Sequence, residues 1–241
     1  MTSRKEQKNT YPDLTPFDAA LHDLYYNGKC SELTLHNNYG NPEIMPVEVF
    51  FREEYDFTEL EKKALSLCKG KILDIGAGAG ALTLNLNNNG HDVTAVETSE
   101  VGCYIMAHEG AKNIICDDYR NIEEKFDTLL LMMNGFGLCE KLENIPIFFS
   151  SLKSLLNSGG RVIVDSSDVK YMADEMPKDR YYGEVEFCYE YESILGEWFN
   201  WLYIDPILLQ SEAKKNDWHC EIVFTDEHDQ YLAILKPNNY N

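Results

Sequence analysis

At 241 residues, 44% of them hydrophobic, the chain is long enough for one domain with additions and can bury a sizeable core. Its 41 acidic and 21 basic residues leave a formal net charge of -20, a field that repels phosphate backbones and argues against a nucleic-acid partner. No run approaches the roughly 18 apolar residues of a membrane span, and the polar first nine residues are not a signal peptide, so a soluble cytoplasmic protein without a membrane partner is expected.

In chain order, residues 1–12 look frayed. Thr15 and Pro16 open a helix, with Asp18 at its positive end and Phe17, Ala20, Leu21, Leu24 and Tyr25 on one face. Asn27 and Gly28 stop it. Residues 29–57 read as an irregular stretch rich in Asn, Pro and Gly. Thr58 and Glu61 then form a capping box, and the helix they open runs to about Cys68. The expected organisation is a cap segment, 1–57, and a core, 58–241.

The core begins with an apolar run, Ile72 to Ile75, that breaks into alternate glycines, Gly76, Gly78 and Gly80, before a helix over 81–88. Glycines there allow backbone angles barred to other residues and let a ligand press on the main chain. A second strand, 92–97, ends in Glu97, whose carboxylate can accept both ribose hydroxyls of a nucleoside. Helix 99–109, strand 113–116, strand 128–133, helix 145–156 and strand 161–165 follow. Strand–helix alternation of this kind implies a parallel sheet with right-handed crossovers. Beyond it, 184–192 alternates sharply: Val185, Phe187, Tyr189 and Tyr191 face one side, and 198–204 can return as its partner. Residues 168–204 therefore read as an antiparallel insertion. A helix from Asp205 and Pro206 to about Asn216, and strands 220–225 and 230–236, close the chain.

Gly76, Gly78 and Ala81 also satisfy a dinucleotide fingerprint, but Asp74 would repel a pyrophosphate and welcome an ammonium or a sulfonium. With its preceding strand, the run Ile72 to Gly80 resembles the first motif of the class I S-adenosylmethionine (SAM)-dependent methyltransferases. The resemblance covers about residues 60–237 and is specific only over 71–98. It implies a seven-stranded, mostly parallel Rossmann-like sheet with helices on both faces and the N-terminal segment lying over the cofactor as a lid. It also implies a SAM site built from Asp74, Gly76, Ala77, Gly78, Gly80, Glu97 and Thr98, with Asp117 at the adenine and Asp118 as the runner-up. Asn134 and Gly135 would line the methionyl part. The Asn/Asp-Pro-Pro-aromatic run of the amino-methylating DNA and protein enzymes is missing at Asn134-Gly135-Phe136-Gly137, which argues against those substrates.

A small-molecule acceptor with an O- or N-nucleophile is the expected partner. Methylation of a macromolecule, a NAD-dependent oxidoreductase and a non-catalytic SAM-binding protein are the rivals. SAM is an activated donor, so the reaction forces no single catalytic residue. Asp168, Tyr171, His108 and Glu109 are candidate bases. Arg52, Phe136, Tyr171, Trp198 and Trp201 are candidate acceptor contacts, and aromatic walls suit a planar or cationic molecule. Asp165, Ser166, Ser167 and Asp168 either cap the next turn or orient a substrate. The seven dispersed cysteines and six histidines show no metal-ligand spacing, so no metal is expected.

Overall fold

The computed structural model describes residues 14–172 and 178–238. The elements are α1 (Pro16–Asn27), β1 (Leu33–Asn37), β2 (Glu43–Met45), α2 (Glu59–Leu67), β3 (Lys71–Ile75), α3 (Ala81–Asn88), β4 (Asp92–Glu97) and α4 (Glu100–His108). There follow β5 (Asn113–Cys116), β6 (Phe126–Leu131), α5 (Ile145–Ser154), β7 (Leu156–Ser167), β8 (Glu184–Tyr191), β9 (Ile194–Leu195), β10 (Phe199–Leu202), α6 (Pro206–Lys215), β11 (Trp218–Thr225) and β12 (Gln230–Pro237).

Seven strands form the main sheet in the order β11-β12-β7-β6-β3-β4-β5. The five from β3 to β7 are parallel, and β12 runs antiparallel to both of its neighbours. From β3 the chain first moves outward through β4 and β5, then returns to the other flank of β3 for β6 and β7. That reversal opens a crevice at the carboxyl ends of β3 and β6, where ligands of open α/β sheets bind. Leu73, Leu129, Leu131 and Val162 on the central strands are fully buried, as strands covered on both faces must be.

Local chemistry explains the helices. Thr15 caps α1 by accepting the Asp18 N–H at 3.1 Å, and Gly28 ends it in the left-handed region. The capping box of α2 is closed: Glu61 N–H donates to Thr58 Oγ1 at 3.2 Å, and Thr58 N–H to Glu61 Oε2 at 2.8 Å.

The stretch 29–57 departs from expectation. It is not irregular throughout, because β1 and β2 lie within it. β1 pairs antiparallel with β2 and with β8, aligning Leu35 with Tyr189 and Asn37 with Phe187. β10 pairs on the other edge of β8, and β9 also joins β8. The N-terminal segment and the insertion thus meet in one five-stranded antiparallel sheet. β1 and β2 are short strands of mixed polar and apolar residues, and β1 gains its second partner, β8, from some 150 positions away, so local pattern did not place them. Two strands also shift: β6 spans Phe126–Leu131 rather than 128–133, and β7 spans 156–167 rather than 161–165.

Candidate active site

The glycine loop is held from three sides. Gly76 and Ala77 donate their N–H groups to the Val96 carbonyl at 2.9 and 3.3 Å, tying the loop to β4. Gly80 caps α3 with φ +94°, and a Cβ there would fall 2.4 Å from Met106 Cγ. A Cβ on Gly102 of α4 would fall 2.5 Å from the Gly78 carbonyl oxygen, so α4 packs directly on the loop. Gly78 itself sits at φ +59° with Phe50 above it.

Glu97 is the hinge of this arrangement. Its Oε2 accepts the Gly78 N–H at 2.7 Å, and its Oε1 accepts the N–H groups of Thr98 and Ser99 at 2.7 and 2.9 Å. It borders a cavity of about 600 Å³ whose wall also contains Gly76, Gly78, Thr98, Asp117 and Asp118. Asp117 uses Oδ1 for the Asp118 N–H and for Asn121 Nδ2, at 2.7 and 2.8 Å, and its Oδ2 has no partner among the described residues. Asp118 is instead engaged by Arg120, with Nε at 2.9 Å from Oδ1, and that guanidinium holds its carboxyl below the ordinary value. Of the two, Asp117 is the one left able to meet a ligand.

Asp74 lies under the loop, 3% exposed, and accepts the Thr83 hydroxyl at 2.6 Å. Burial raises its pKa to about 6 against the opposing Thr83 hydrogen bond. It borders a small recess that also contains Gly76, Ala77, Arg52 and Glu61.

A second cavity, about 360 Å³, adjoins the first and shares Gly76, Phe50, Tyr189, Phe199 and Trp201 with it. Its walls include Phe187 and Tyr203 from the antiparallel sheet region and Met133, Asn134 and Asp165 from the ends of β6 and β7. Met133 and Asn134 both adopt positive φ, 63° and 58°. Asp165 holds that turn by accepting the N–H groups of Asn134 and Gly135, each at 2.9 Å, and Gln230 Nε2 at 3.1 Å. Asp165 is 1% exposed, and its burial raises the pKa to about 6, with the two amides pulling the other way. The polar cluster at the end of β7 thus does structural work, since Ser166 Oγ accepts the Ile204 N–H and Ser167 Oγ donates to Asn134 Oδ1, at 3.1 and 2.7 Å.

The candidate acceptor contacts divide. Trp201 borders both cavities, and its ring lies so close over Gly137 that a Cβ there would be 2.0 Å from it. Trp198 borders the first cavity. Arg52 reaches the second cavity, but not as a free cation or a partner of Glu53 and Glu54: it forks onto Glu61, with Nη1 3.1 Å from Oε2. Phe136 is a core residue, 0% exposed and edge-on to Phe148, because its side chain turns away from the crevice. Tyr171 is 77% exposed and borders neither cavity.

The candidate bases also lie outside both cavities. Asp168 accepts the Tyr182 hydroxyl at 2.8 Å and the Lys170 N–H at 3.0 Å. His108 and Glu109, at the exposed end of α4, meet the Tyr25 hydroxyl. Sequence reading did not assign Phe17, Tyr189, Phe199 or Gln230 to the site, and it left Asp165 open between capping a turn and orienting a substrate. The alternation over 184–192 carried a signal for Tyr189, and Asp165 differed from a packing residue by being a carboxylate at a strand end.

The loop, the ribose-competent Glu97, the open Asp117 and a cavity of this size fit a nucleoside cofactor. A methyltransferase-domain family matches residues 51–218. The fold is similar to that of a SAM-dependent methyltransferase from Bacteroides fragilis solved with S-adenosyl-L-homocysteine (SAH): 35% identity, 92% of this chain and 94% of that chain covered, TM-score 0.87. It is also similar to the CcbJ methyltransferase from Streptomyces caelestis (12% identity, 93% and 99% covered, TM-score 0.60) and to DhpI in complex with SAH (18%, 70% and 78%, 0.51). No curated protein matches the chain.

Proposed function

The chain belongs to the SAM-dependent methyltransferases, and from that membership we propose that it methylates an O- or N-nucleophile of a small molecule bound in the second cavity. One observation carries the reading: the cofactor cavity adjoins a further cavity of about 360 Å³ across a common aromatic wall, a volume that suits a small ligand. SAM supplies an already activated methyl group. Glu97 and Asp117 offer carboxylate oxygens to ribose and adenine, and Gly76 and Gly78, their amides committed to Val96 and Glu97, offer side-chain-free backbone surface to the remainder. Phe50, Tyr189, Phe199 and Trp201 border both cavities and exclude water between them. Asn134 borders the second cavity; its N–H and that of Gly135 are committed to Asp165, and its carbonyl accepts the Gly137 N–H at 2.9 Å. Residues 16–57 act as a lid in this reading, with Phe17 and Phe50 at the cofactor cavity.

No residue bordering the second cavity is placed as an obligatory base, which agrees with a reaction whose main demand is alignment. A charge of -20 disfavours a phosphate-backbone acceptor, and among the described residues no helix is long and apolar enough to cross a membrane. Calorimetric titration with SAH, with NADH as control, tests the cofactor half. Saturable binding of SAH alone is expected, and binding of NADH alone would refute the reading. Methyl acceptance by tRNA or protein extracts, with none by small molecules, would move the acceptor to a macromolecule.

A further inference from the structure

The second cavity has a definite chemical character. Six aromatic side chains border it: Phe50, Phe187, Tyr189, Phe199, Trp201 and Tyr203. Among the described residues two carboxylates border it, Glu61 and Asp165, both buried. Its one cationic side chain among the described residues, Arg52, is forked onto Glu61, so that pair cancels and Asp165 remains as the unbalanced charge. An anionic acceptor would find no uncommitted cation there. The hydroxyls of Tyr189 and Tyr203 have no hydrogen-bond partner among the described residues, and neither is sealed from solvent. Burial pushes the Tyr189 phenol up to about 12 and the Tyr203 phenol up as well, Glu43 adding to the latter, so both stay neutral. They present polar atoms without adding charge. Aromatic faces with one net carboxylate charge attract an organic cation and discriminate against carboxylates and phosphates.

Resting on the methyltransferase reading, we infer that the acceptor is an amine that enters as its ammonium ion on an apolar body. Binding occurs against the faces of Phe187, Phe199 and Trp201 and the charge of Asp165. One proton leaves the ammonium for solvent water, which exposes the nitrogen lone pair. The lone pair forms the new C–N bond as the methyl–sulfur bond breaks with both its electrons going to sulfur. The product is a methylammonium ion, and one proton is released overall.

The test uses the full chain saturated with SAH and three probes of one shape: 2-phenylethylammonium, 2-phenylethanol and 3-phenylpropanoate. Tryptophan fluorescence and calorimetry report binding at pH 7. The ammonium is expected to bind at least about tenfold more tightly than the alcohol, with the carboxylate weakest. An alcohol or carboxylate that binds as well as the ammonium, or silence from all three with SAH bound, overturns the inference. Failure of SAH itself to bind would instead strike the methyltransferase reading. Glu61→Gln provides a second arm. It keeps an oxygen for the Thr58 amide but leaves Arg52 uncompensated, so the ammonium preference should fall below about threefold and the carboxylate should gain. An unchanged preference in a variant that still binds SAH would refute the assignment of selectivity to these charges. Should that variant fail to fold, the wild-type series decides alone.

Discussion

The two halves of the site are built by different means. The cofactor half lies on β3, β4 and β5 and the loops after them, within residues 71–118, and its glycine loop is held through backbone groups: Gly76 and Ala77 on Val96, Gly78 on Glu97. The acceptor half draws on β1, β8 and β10 and on the ends of β6 and β7, segments scattered from position 33 to 202. Its strands pair across long separations, Leu35 opposite Tyr189 and Phe187 opposite Phe199. The cofactor half depends on backbone conformation, which tolerates few residue types. The acceptor half depends on side-chain shape and charge, which tolerate many.

The contrast can be broken most directly at Gly78. Valine there would require a β-branched residue at φ +59° and a Cβ 3.1 Å from Phe50 Cδ1. Gly78→Val should weaken SAH binding by about 100-fold or more, read by calorimetry, while circular dichroism shows the sheet retained. Unchanged affinity would mean that the loop does not carry the cofactor.

Glu97→Ala should come next in size. It removes the acceptor for three backbone N–H groups as well as the ribose contact, and a loss of about tenfold to 100-fold in SAH affinity is expected. Glu97→Gln keeps one carbonyl oxygen and should recover part of that loss. Equal losses in the two variants would show that charge, not loop geometry, is what the carboxylate contributes.

Trp201→Ala sharpens the comparison from the other side. The ring fills the space above Gly137 and borders both cavities, so its removal opens a void between sheet and loop. Stability should fall by about 3 kcal/mol, measured by denaturant titration. The bound 2-phenylethylammonium probe should weaken by about tenfold, and SAH by less than about threefold. Equal losses for both ligands would remove the distinction between an acceptor wall and a cofactor wall.

The smallest effect is one of pH. Asp74 is a buried carboxyl whose folded pKa lies near 6, above the ordinary 3.8. The native state therefore holds a proton between about pH 4 and 6 that the unfolded chain has released. Relative to Asp74→Asn, the wild type should be most stable below about pH 4 and lose on the order of 2–3 kcal/mol as pH rises through 6. Parallel curves for the two proteins from pH 4 to 7 would show that Asp74 carries no such shift.

Much of this was readable before any coordinates. The three glycines, Asp74 and Glu97 sit at spacings that strand, turn and helix geometry impose over short distances, so the loop and the strand that follows could be recognised locally. The caps at Thr15 and Thr58 were legible for the same reason. The order of strands in the main sheet followed only in outline from alternation.

What the amino-acid sequence determined by itself is the cofactor half, because left-handed backbone angles and a carboxylate at a strand end are properties of residue type and position. What only the tertiary structure decided is which side chains face the second cavity. It paired β1 with β8, turned Phe136 into the core, forked Arg52 onto Glu61 and gave Asp165 to the turn at Asn134. The first and last of these join segments well separated in the chain, and local pattern carries no record of a distant partner. Arg52 and Glu61 are nine positions apart, but residue type alone does not say which of the nearby carboxylates, Glu53, Glu54 or Glu61, the guanidinium takes.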